Sequence, residues 1–489
     1  MESPTTQANE EDQPSDGIGR PSPRPTWHLT PARNWMNDPN GLVHVDGVYH
    51  AFFQYNAGGE GWSDMSWGHA VSEDLLAWRE LDVAIPATAN EQAYSGSAVV
   101  DHGNTSGLGD GGTDPIVAVY TAATKDGLQA QSLAFSQDRG ATWQRYDRNP
   151  VLDRGSREFR DPKVFRFEGA DGHARWIMVV VEAVAHEVLV YSSDNLRDWT
   201  WESAFDHPTP LDEIWECPDL FPLPVDGDEA DQRWVKLLST HDHDRTDEQG
   251  STMRWILGDF DGRRFTPAPG ETWRLLDHGR DFYAGVTFSD APDGRRLMLG
   301  WMSNWQYAHE APTAPFRGAM SLVRELSLRT VVSDTGADAR VELVQTPIVP
   351  EGLGLRSEDE GDDEGLVVGL AGVVSIESVG SARTVSVELC SGDDALATVT
   401  LDANAGEVVF ERASAGVDAI DGRYASVRRM PWDGGLVEVF LDAHLVEVFA
   451  CDGASVMSHQ AFVGPDGWRV RVIGGAAADV TVAVPSDTE

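Results

Sequence analysis

The sequence predicts an all-β fold: a five-bladed β-propeller followed by a C-terminal β-sandwich. From Trp27 onward, short strand-like runs alternate with turns, and helical periodicity is almost absent. One turn pattern recurs about every sixty residues, which is the length of a four-stranded blade with its loops. Beyond residue 365, shorter alternating runs follow at the spacing typical of a sandwich.

The recurring turn divides the first part of the chain into blades. In the three clear copies a Ser ends one strand, an Asp or Asn lies in the turn, and a Trp opens the next strand. The copies are 72–78, 136–143 and 193–199, with a degenerate copy at 258–265 and a fifth unit that opens at 281–286. We therefore expect a five-bladed propeller over residues 27–335.

The other parts of the chain are predicted from composition. Residues 1–26 are polar, acidic and rich in Pro, so we expect a disordered tail. Residues 336–354 are predicted to be a linker and residues 355–489 the sandwich domain. The acidic run 357–364 is expected to be a solvated loop. We find no cluster in the sandwich segment that could carry chemistry.

The charge of the chain limits its partners. Its 489 residues include 37 Lys and Arg against 80 Asp and Glu, a net charge of −43. Phosphate backbones and anionic membranes would be repelled, so we expect no nucleic-acid or membrane partner and a neutral substrate. Lys occurs only at positions 125, 163 and 236. This bias favours adaptation to concentrated salt, where repulsion between acidic groups is screened. A genome that favours Arg and Asp is the alternative.

Signals for export or cross-linking are weak. There is no run of about eighteen apolar residues, so no transmembrane helix is predicted. The N-terminal segment lacks the basic start and apolar centre of a secretion signal. This favours a cytoplasmic location, with secretion by an unrecognised route as the alternative. The three cysteines, Cys217, Cys390 and Cys451, are far apart and predict neither a disulfide framework nor a zinc site.

Three stretches share one arrangement: an acidic residue, a Pro and then an apolar run. Asp38 lies in 34–42, Asp161 in 159–165 and Glu216 in 215–221. Pro suits the first residue of a strand, so each acid is predicted to stand at a strand start. The innermost strands of a propeller run parallel beside a central channel. Their first residues should therefore gather at one mouth, the three acids together with Ser95 and Tyr283. Three ordinary surface acids are the alternative, but their shared position in the repeat favours a site.

Two carboxyls that face each other across a neutral substrate suit glycoside hydrolysis. Amide donors next to Asp38 would keep it ionised, as a nucleophile requires. Glu216 stands among Trp, Cys and Pro, and this less polar setting would raise its pKa, as a general acid/base requires. Arg160 would keep Asp161 charged, so we expect Asp161 to grip sugar hydroxyls and not to transfer protons.

Sugar sites also need aromatic faces and amide donors. The candidates are Trp35, Gln54, Trp62, Trp67, Tyr94, Tyr283, Trp301 and Trp305. A lone Trp in a β-protein usually belongs to the core, which is the alternative for each. The run 241–244, His-Asp-His-Asp, has metal-binding residue types at alternate positions. Its neighbours are typical of a loop, however, and we predict no metal.

At these residues the sequence resembles glycoside hydrolase family 32, the invertase, inulinase and levanase family. The motifs are Trp-Met-Asn-Asp-Pro-Asn-Gly at 35–41, Phe-Arg-Asp-Pro at 159–162 and Trp-Glu-Cys-Pro at 215–218. The resemblance covers about 27–328 and, more weakly, the C-terminal sandwich. Three signatures in order at the family spacing are very specific. The resemblance implies a propeller with a sandwich, a retaining mechanism, and neither metal nor cofactor.

The same resemblance implies roles for single residues. Asp38 would be the nucleophile that forms a fructosyl-enzyme, Glu216 the general acid/base, and Asp161 the residue that binds the fructosyl 3- and 4-hydroxyls. The carboxyls of a retaining pair should lie about 5–5.5 Å apart. The other residues implied to line the fructose pocket are Asn37, Gln54, Trp62, Tyr94, Ser95, Arg160, Cys217, Tyr283 and Trp305.

Within the family, the stretches 280–284, 300–307 and 319–328 look most like exo-acting levanases and inulinases. The implied activity is release of terminal β-D-fructofuranosyl residues from sucrose, inulin or levan. Phe53 and Ala57 replace a usual Tyr and Pro, and loop 241–250 departs from the pattern, so the chain-length preference stays open. One alternative is a fructosyltransferase that uses the same intermediate. Others are a carbohydrate-binding propeller without turnover and an arabinan- or xylan-cleaving enzyme, which the stretch 35–41 argues against.

Overall fold

The computed structural model confirms the predicted fold class, a five-bladed β-propeller with a C-terminal β-sandwich. The structure describes residues 23–169, 172–208, 213–242, 249–332, 339–357, 365–378, 384–413, 420, 423–474 and 478–485. No helix in these ranges is long and apolar enough to cross a membrane. The three cysteines are free thiols.

The first three blades are antiparallel sheets of consecutive strands. Blade 1 consists of β1 (Asn34–Val45), β2 (Val48–Asn56), β3 (Ser66–Ser72) and β4 (Arg79–Ile85). Blade 2 consists of β5 (Glu91–Val100), β6 (Ile116–Thr124), β7 (Gln129–Ser136) and β8 (Gln144–Arg145), with β9 (Leu152–Ser156) also paired to β7. Blade 3 consists of β10 (Phe159–Glu168), β11 (Ala174–Glu182), β12 (Glu187–Ser193) and β13 (Thr200–Phe205).

Blades 4 and 5 complete the ring. Blade 4 consists of β14 (Glu213–Val225), β15 (Asp228–Asp242), β16 (Ser251–Phe260) and β17 (Phe265–Pro267), with β18 (Arg274–Leu275) also paired to β16. Blade 5 comprises β19 (Tyr283–Thr287), β20 (Leu297–Trp301), β22 (Arg324–Val332) and β23 (Ala339–Pro347). The short strand β21 (Phe316–Arg317) lies between β20 and β22 in the chain. It pairs with β1 and so joins the last blade to the first. Two 3₁₀ turns lie at Pro292–Gly294 and Ala308–Glu310.

The first strands of the five blades surround the central channel. Neighbouring first strands contact one another in the cyclic order β1, β5, β10, β14, β19 and back to β1. The recurring Ser-Asp turn lies far from this axis, where it joins the third strand of a blade to the fourth. Ser72 Oγ is 2.9 Å from Asp74 Oδ1, and Ser136 Oγ is 2.8 Å from Asp138 Oδ1. In each copy a side-chain hydrogen bond thus stabilises the turn from within, which explains why this residue pattern recurs.

The sandwich consists of two six-stranded sheets. Its strands are β24 (Leu353–Ser357), β25 (Leu366–Gly369), β26 (Ala371–Ser378), β27 (Thr384–Ser391), β28 (Asp394–Asp402), β29 (Glu407–Arg412), β30 (Ser426–Pro431), β31 (Val437–Asp442), β32 (Leu445–Ala450), β33 (Ser455–Gln460), β34 (Trp468–Gly474) and β35 (Ala478–Pro485). The sheet orders are β24-β35-β26-β31-β32-β33 and β25-β34-β27-β28-β29-β30. A 3₁₀ turn lies at Cys451–Gly453.

The described residues of the predicted linker and of the predicted disordered tail make regular contacts. The predicted linker 336–354 contains β23, which pairs antiparallel with β22 and so extends blade 5. The predicted disordered tail 1–26 ends in residues that bind the sandwich. The backbone N–H groups of Thr26 and Trp27 each donate to Asp442 at 2.7 Å. The buried Asp442 carboxylate needs hydrogen-bond donors. The composition of the tail does not show that its last residues supply them. Most of the acidic run 357–364 lies outside the described residues.

Lys236 is expected to lower the stability of the protein at neutral pH. It lies on β15 and is fully buried. Its Nζ has no hydrogen-bond partner in the described part of the chain and lies 4.9 Å and 5.2 Å from the ring centroids of Phe205 and Phe265. Burial lowers its pKa to about 7. Because the folded pKa is below the unfolded value, the stability of the protein should increase as the pH rises above 7.

Replacing Lys236 by Met should therefore stabilise the protein. We expect the free energy of unfolding at about pH 6 to rise by about 1–3 kcal/mol, because an unsatisfied buried polar group is removed and a thioether packs well against rings. Thermal unfolding at low and high pH would measure this, and the gain should shrink as the pH rises. Lys163→Met is the matched control: that buried ammonium lies 3.2 Å from Asp219, so its removal should destabilise. A lower Tm for Lys236→Met at low pH would contradict the prediction.

Candidate active site

Each innermost strand has a register shift at the residue predicted to face the channel. The shifts fall between Met36 and Pro39, Tyr94 and Gly96, Arg160 and Lys163, Glu216 and Asp219, and Tyr283 and Val286. Such bulges bend a strand and turn a side chain away from the regular alternation. The prolines at 39, 162 and 218 thus lie inside strands at bulges, and the prediction that they stand at strand starts is wrong. A bulge tolerates Pro because the local ladder bond is already absent.

The bulges of the first four blades direct side chains towards one cavity, and the segment after β20 adds residues from the fifth blade. Its volume is about 390 Å³. It is lined by Asn37, Asp38, Gln54, Trp62, Tyr94, Ser95, Gln129, Glu158, Arg160, Asp161, Glu216, His241, Trp305 and His309. Of the residues implied by the family resemblance, Cys217 and Tyr283 lie behind this lining. They contact it through the Cys217 N–H, which donates to Asp161, and the Tyr283 hydroxyl, which donates to Glu216.

Asp38 is buried and held by two short hydrogen bonds and by a longer contact from the Cys217 thiol at 3.7 Å. Asn37 Nδ2 donates to one carboxylate oxygen at 2.9 Å, and Ser95 Oγ donates to the other at 2.8 Å. The Asn37 amide is oriented in turn by the indole N–H of Trp35, 2.7 Å from Asn37 Oδ1. These two hydrogen bonds run from Trp35 through Asn37 to Asp38, which explains why the three residues stand together in the sequence. Burial and the charge of Glu216 nevertheless raise the pKa of Asp38 above its ordinary value.

Glu216 stands in a polar setting, and the predicted apolar one is wrong. Arg160 Nε donates to its Oε1 at 3.1 Å, and the Tyr283 hydroxyl donates to its Oε2 at 2.6 Å. His241 Nε2 lies 3.5 Å from the same oxygen. Burial opposes ionisation of Glu216, but the positive charge of Arg160 and these further groups lower its pKa below the ordinary value. The apolar neighbours in the sequence do not surround the Glu216 carboxylate: Trp215 packs in the core, and the Cys217 thiol contacts Asp38 and Asp161.

Asp161 is buried beside the carboxylates of Asp38 and Glu216. Its backbone is left-handed, with φ 62°, and the Cys217 N–H donates to its Oδ2 at 3.0 Å. The Arg160 guanidinium lies 4.0 Å from the Asp161 carboxylate. It forms shorter ion pairs with Glu216, at 3.1 Å, and with Glu158, at 2.7 Å. The prediction that Arg160 keeps Asp161 charged is therefore wrong. Burial and the negative charge of Glu216 raise the pKa of Asp161 to about 7.

Four lining residues were not predicted to belong to a substrate pocket. Gln129 and Glu158 accept hydrogen bonds from Arg160 Nη1, at 3.4 Å and 2.7 Å. His309 stacks on Trp35 with ring centroids 4.5 Å apart. Glu158 lies two residues before Arg160, a spacing that could have indicated a shared face, but Gln129 and His309 show no sequence signal. His241 belongs to β15 and not to a loop, whereas 243–244 of the suggested metal run lie outside the described residues.

The site combines acids, amides and rings in a way that suits a neutral sugar. Carboxylates and amide groups can exchange hydrogen bonds with hydroxyls, and the rings of Trp62, Tyr94 and Trp305 offer apolar faces. Trp62 and Tyr94 lie 5.6 Å apart at their ring centroids. Several carboxyls in one pocket also provide the groups that cleave a glycosidic bond. Fold and site together define a glycoside hydrolase built on a five-bladed propeller.

Comparisons with known proteins agree with this class. The model of the glycosyl hydrolases family 32 N-terminal domain matches residues 28–347. A levanase of Bacillus subtilis (strain 168) is 39% identical over 461 residues, which cover 89% of this chain and 66% of the levanase. The crystal structure of an exo-inulinase from Aspergillus awamori superposes with a TM-score of 0.85 and 32% identity over 96% of this chain and 99% of that one. A β-fructofuranosidase from Schwanniomyces occidentalis, complexed with fructosyl-erythritol, has a TM-score of 0.81 and 28% identity over 96% and 98%.

The chain belongs to glycoside hydrolase family 32. It is a glycosidase of the β-fructofuranosidase type, as the family resemblance implied. The chain spans 66% of the length of the levanase but nearly all of the exo-inulinase structure.

Proposed function

We propose that this protein is an exo-acting, retaining β-fructosidase that releases terminal fructose from sucrose or from the fructans inulin and levan. The observation that carries this proposal is the depth of the acids. Asp38 and Asp161 are 9% and 7% exposed, whereas Trp62 at the cavity rim is 40% exposed. Acids at the bottom of a pocket suit attack on a chain end, whereas cleavage within a chain needs an open groove.

In the first step, Asp38 attacks the anomeric carbon of the fructosyl group. The glycosidic C–O bond breaks, a bond to an Asp38 carboxylate oxygen forms, and Glu216 donates its proton to the departing oxygen. In the second step, Glu216 takes a proton from water, and the resulting oxygen nucleophile displaces Asp38. Fructose leaves, Asp38 is a carboxylate again, and Glu216 is again protonated. The donors Asn37 and Ser95 suit this cycle, because they stabilise the carboxylate that departs.

The proton must reach Glu216, although Asp161 holds it more readily in the free site. The family resemblance has Asp161 accept hydrogen bonds from the 3- and 4-hydroxyls of fructose. Such donors favour the ionised form of Asp161, so its proton becomes available. A substrate oxygen next to Glu216 favours the protonated form, which can donate to it. Substrate binding itself would therefore move the proton from Asp161 to Glu216. This sequence of events supports the assigned roles despite the low pKa of Glu216 in the free site.

A product time course on sucrose, inulin and levan tests the proposed function. We expect fructose as the sole early product from the fructans, and fructose with glucose from sucrose. Oligosaccharides that grow from sucrose would show a fructosyltransferase, and shorter fructan fragments would show endo action. If no product forms from any of the three substrates, the remaining interpretation is a propeller that binds carbohydrate without cleaving it.

The same assay should be run in dilute buffer and at molar salt. Lys163 and Lys236 are buried, so Lys125 is the one lysine on a surface that otherwise carries many acids. We propose that this surface adapts the protein to concentrated salt, which screens its repulsion. Higher activity and a higher Tm at molar salt are expected. Full activity and unchanged stability in dilute buffer would contradict salt adaptation and leave the proposed reaction untouched.

A further inference from the structure

We propose that the sandwich domain positions the general acid/base, because its Arg412 holds the propeller segment 277–283 in place and thereby the Tyr283 hydroxyl against Glu216. No sandwich residue lines the described cavity, so this role is indirect. The catalytic meaning of the proposal rests on the proposed function, whereas the positioning itself does not.

The contact to be positioned is short, and the buried Tyr283 that makes it is paired with Trp301 at the edge of a bulge. The Tyr283 hydroxyl donates to Glu216 Oε2 at 2.6 Å. Tyr283 is the first residue of β19 and stands at the register shift between Tyr283 and Val286. Ala284, the next residue, has φ 54°, in the left-handed region. The ladder of blade 5 is thus interrupted immediately after Tyr283, so its position depends strongly on the segment before it.

That preceding segment is bound to the edge of the sandwich. The N–H of His278 donates to Val456 O at 2.8 Å, and the N–H of Asp281 donates to Ser458 O at 3.0 Å. Ser458 N–H donates back to Asp277 Oδ1 at 2.9 Å. At Gly279 the two chains are so close that a Cβ would lie 2.1 Å from Ser458 O. Segment 277–281 therefore follows the edge of β33 much as an added strand would.

Arg412 closes this contact from inside the sandwich. It is fully buried at the end of β29, and its Nη1 donates to Asp281 Oδ2 at 2.6 Å. Its Nε donates to Tyr424 O at 2.8 Å, and its Nη2 donates to the Tyr307 hydroxyl at 2.8 Å. Tyr307 in turn donates to Asp281 Oδ1 at 2.6 Å. The planar fork of a guanidinium meets all these acceptors at once, and an ammonium cannot.

The same arginine reaches a second wall of the cavity. Tyr307 stands two residues after Trp305, which lines the cavity. Asn304 Nδ2 donates to Arg280 O at 2.8 Å, and Arg280 Nη2 donates to Gln306 Oε1. Segments 280–283 and 304–307 are therefore joined to each other, and Arg412 binds both. One sandwich residue thus fixes the position of an acid/base partner and that of a pocket ring.

The variant Arg412→Lys tests this proposal by crystallography and kinetics together. It keeps the charge but loses the fork. We expect the Tyr283 hydroxyl to move beyond hydrogen-bond distance of Glu216, and kcat to fall about tenfold or more with a smaller change in KM. Glu216 would lose a donor that favours its ionised form, so its pKa should rise. The basic limb of the pH profile should then move to higher pH, as it should in Tyr283→Phe.

The other charged and titratable groups around Glu216 stay in place in this variant. They are Arg160 and Asp161 from β10, Asp38 from β1, Tyr94 from β5, His241 from β15 and the neighbouring Cys217. The control is Arg329→Ala, which removes an exposed ion pair between the two domains: Arg329 Nη1 lies 3.0 Å from Asp452 Oδ2. This control should leave kcat and the basic limb unchanged. If Arg412→Lys does not fold, Tyr307→Phe removes one hydroxyl of the same cluster and should shift the limb in the same direction.

The possible outcomes separate the two proposals. A Tyr283–Glu216 distance that stays at the value of the wild type in crystals of Arg412→Lys would overturn the positioning role, whatever the enzyme cleaves. An unchanged basic limb with a lowered Tm would also overturn it, because a merely structural role predicts that result. A displaced Tyr283 in a protein whose wild type releases no fructose would support the positioning and reject the proposed function.

Discussion

Replacing Asp38 by Asn is expected to lower kcat on sucrose or a fructan by about 10⁴-fold or more, because the group that forms the covalent bond is lost. The amide has nearly the same shape, and the donors Asn37 and Ser95 stay in place. Substrate binding should therefore change little, and KM should stay within a small factor of the wild-type value. Initial rates of fructose release measure this. A variant that retains a few per cent of the wild-type rate would show that Asp38 is not the nucleophile.

Ser95→Ala is the matched control for this substitution. It removes one of the two short side-chain hydrogen bonds to Asp38 and keeps the carboxylate. A hydrogen bond to a charged group contributes about 1.5–3 kcal/mol, so a loss of roughly 10- to 100-fold in kcat is expected. The pKa of Asp38 should also rise further, which moves the acidic limb of the pH profile to higher pH. A loss as large as that of Asp38→Asn would assign Ser95 a direct chemical role.

Replacing Glu216 by Gln is expected to lower kcat on sucrose and fructans by about 10²–10⁴-fold, because the leaving oxygen no longer receives a proton. The loss should depend on the leaving group. A fructosyl fluoride needs no proton to depart, so its first step should stay fast. The second step still lacks its base, so a fructosyl-enzyme should accumulate. Mass spectrometry should detect an increase equal to one fructosyl group, and azide should restore turnover by attacking without a base.

Asp161→Asn is the control that separates protonation from sugar binding. If Asp161 holds the fructosyl hydroxyls, its replacement should slow sucrose and fructosyl fluoride by similar factors, and azide should not restore either. Turnover by the wild type that is lost in Glu216→Gln while binding is retained also excludes a propeller that only binds carbohydrate. Equal losses in the rate of the first step on sucrose and on fructosyl fluoride in Glu216→Gln would mean that Glu216 is not the proton donor.

The locations of the three acids could be predicted because they depend on local order. Each follows the same rule within a blade, and the blades repeat along the chain. The structure adds the bulges at Asp38, Asp161 and Cys217, which turn these residues inwards. Pro39, Pro162 and Pro218 predicted strand starts, whereas they lie at bulges inside the strands. A repeat in the sequence therefore reveals the residues of a site even where the sequence does not determine the backbone geometry.

The ionisation of the acids could not be predicted because it depends on partners from other blades. Arg160 stands next to Asp161 in the chain, yet its guanidinium contacts Glu216 of the next blade at 3.1 Å. Tyr283 reaches the same carboxylate from blade 5. Sequence neighbours on a strand point to opposite faces, so they say little about the charge that a side chain meets. The pKa order of Glu216 and Asp161 is for this reason opposite to the one expected.

The sequence by itself determined the fold class, the family and the residue types of the site, because strand periodicity, repeated turns and short motifs are local properties. Only the tertiary structure decided which donor serves which carboxylate, that Gln129, Glu158 and His309 complete the pocket, and that Arg412 of the sandwich binds Asp281 of the propeller. These contacts join residues far apart in the chain. Their energies depend on burial and on distances of a few ångströms, which exist only once the blades have closed and the two domains have packed.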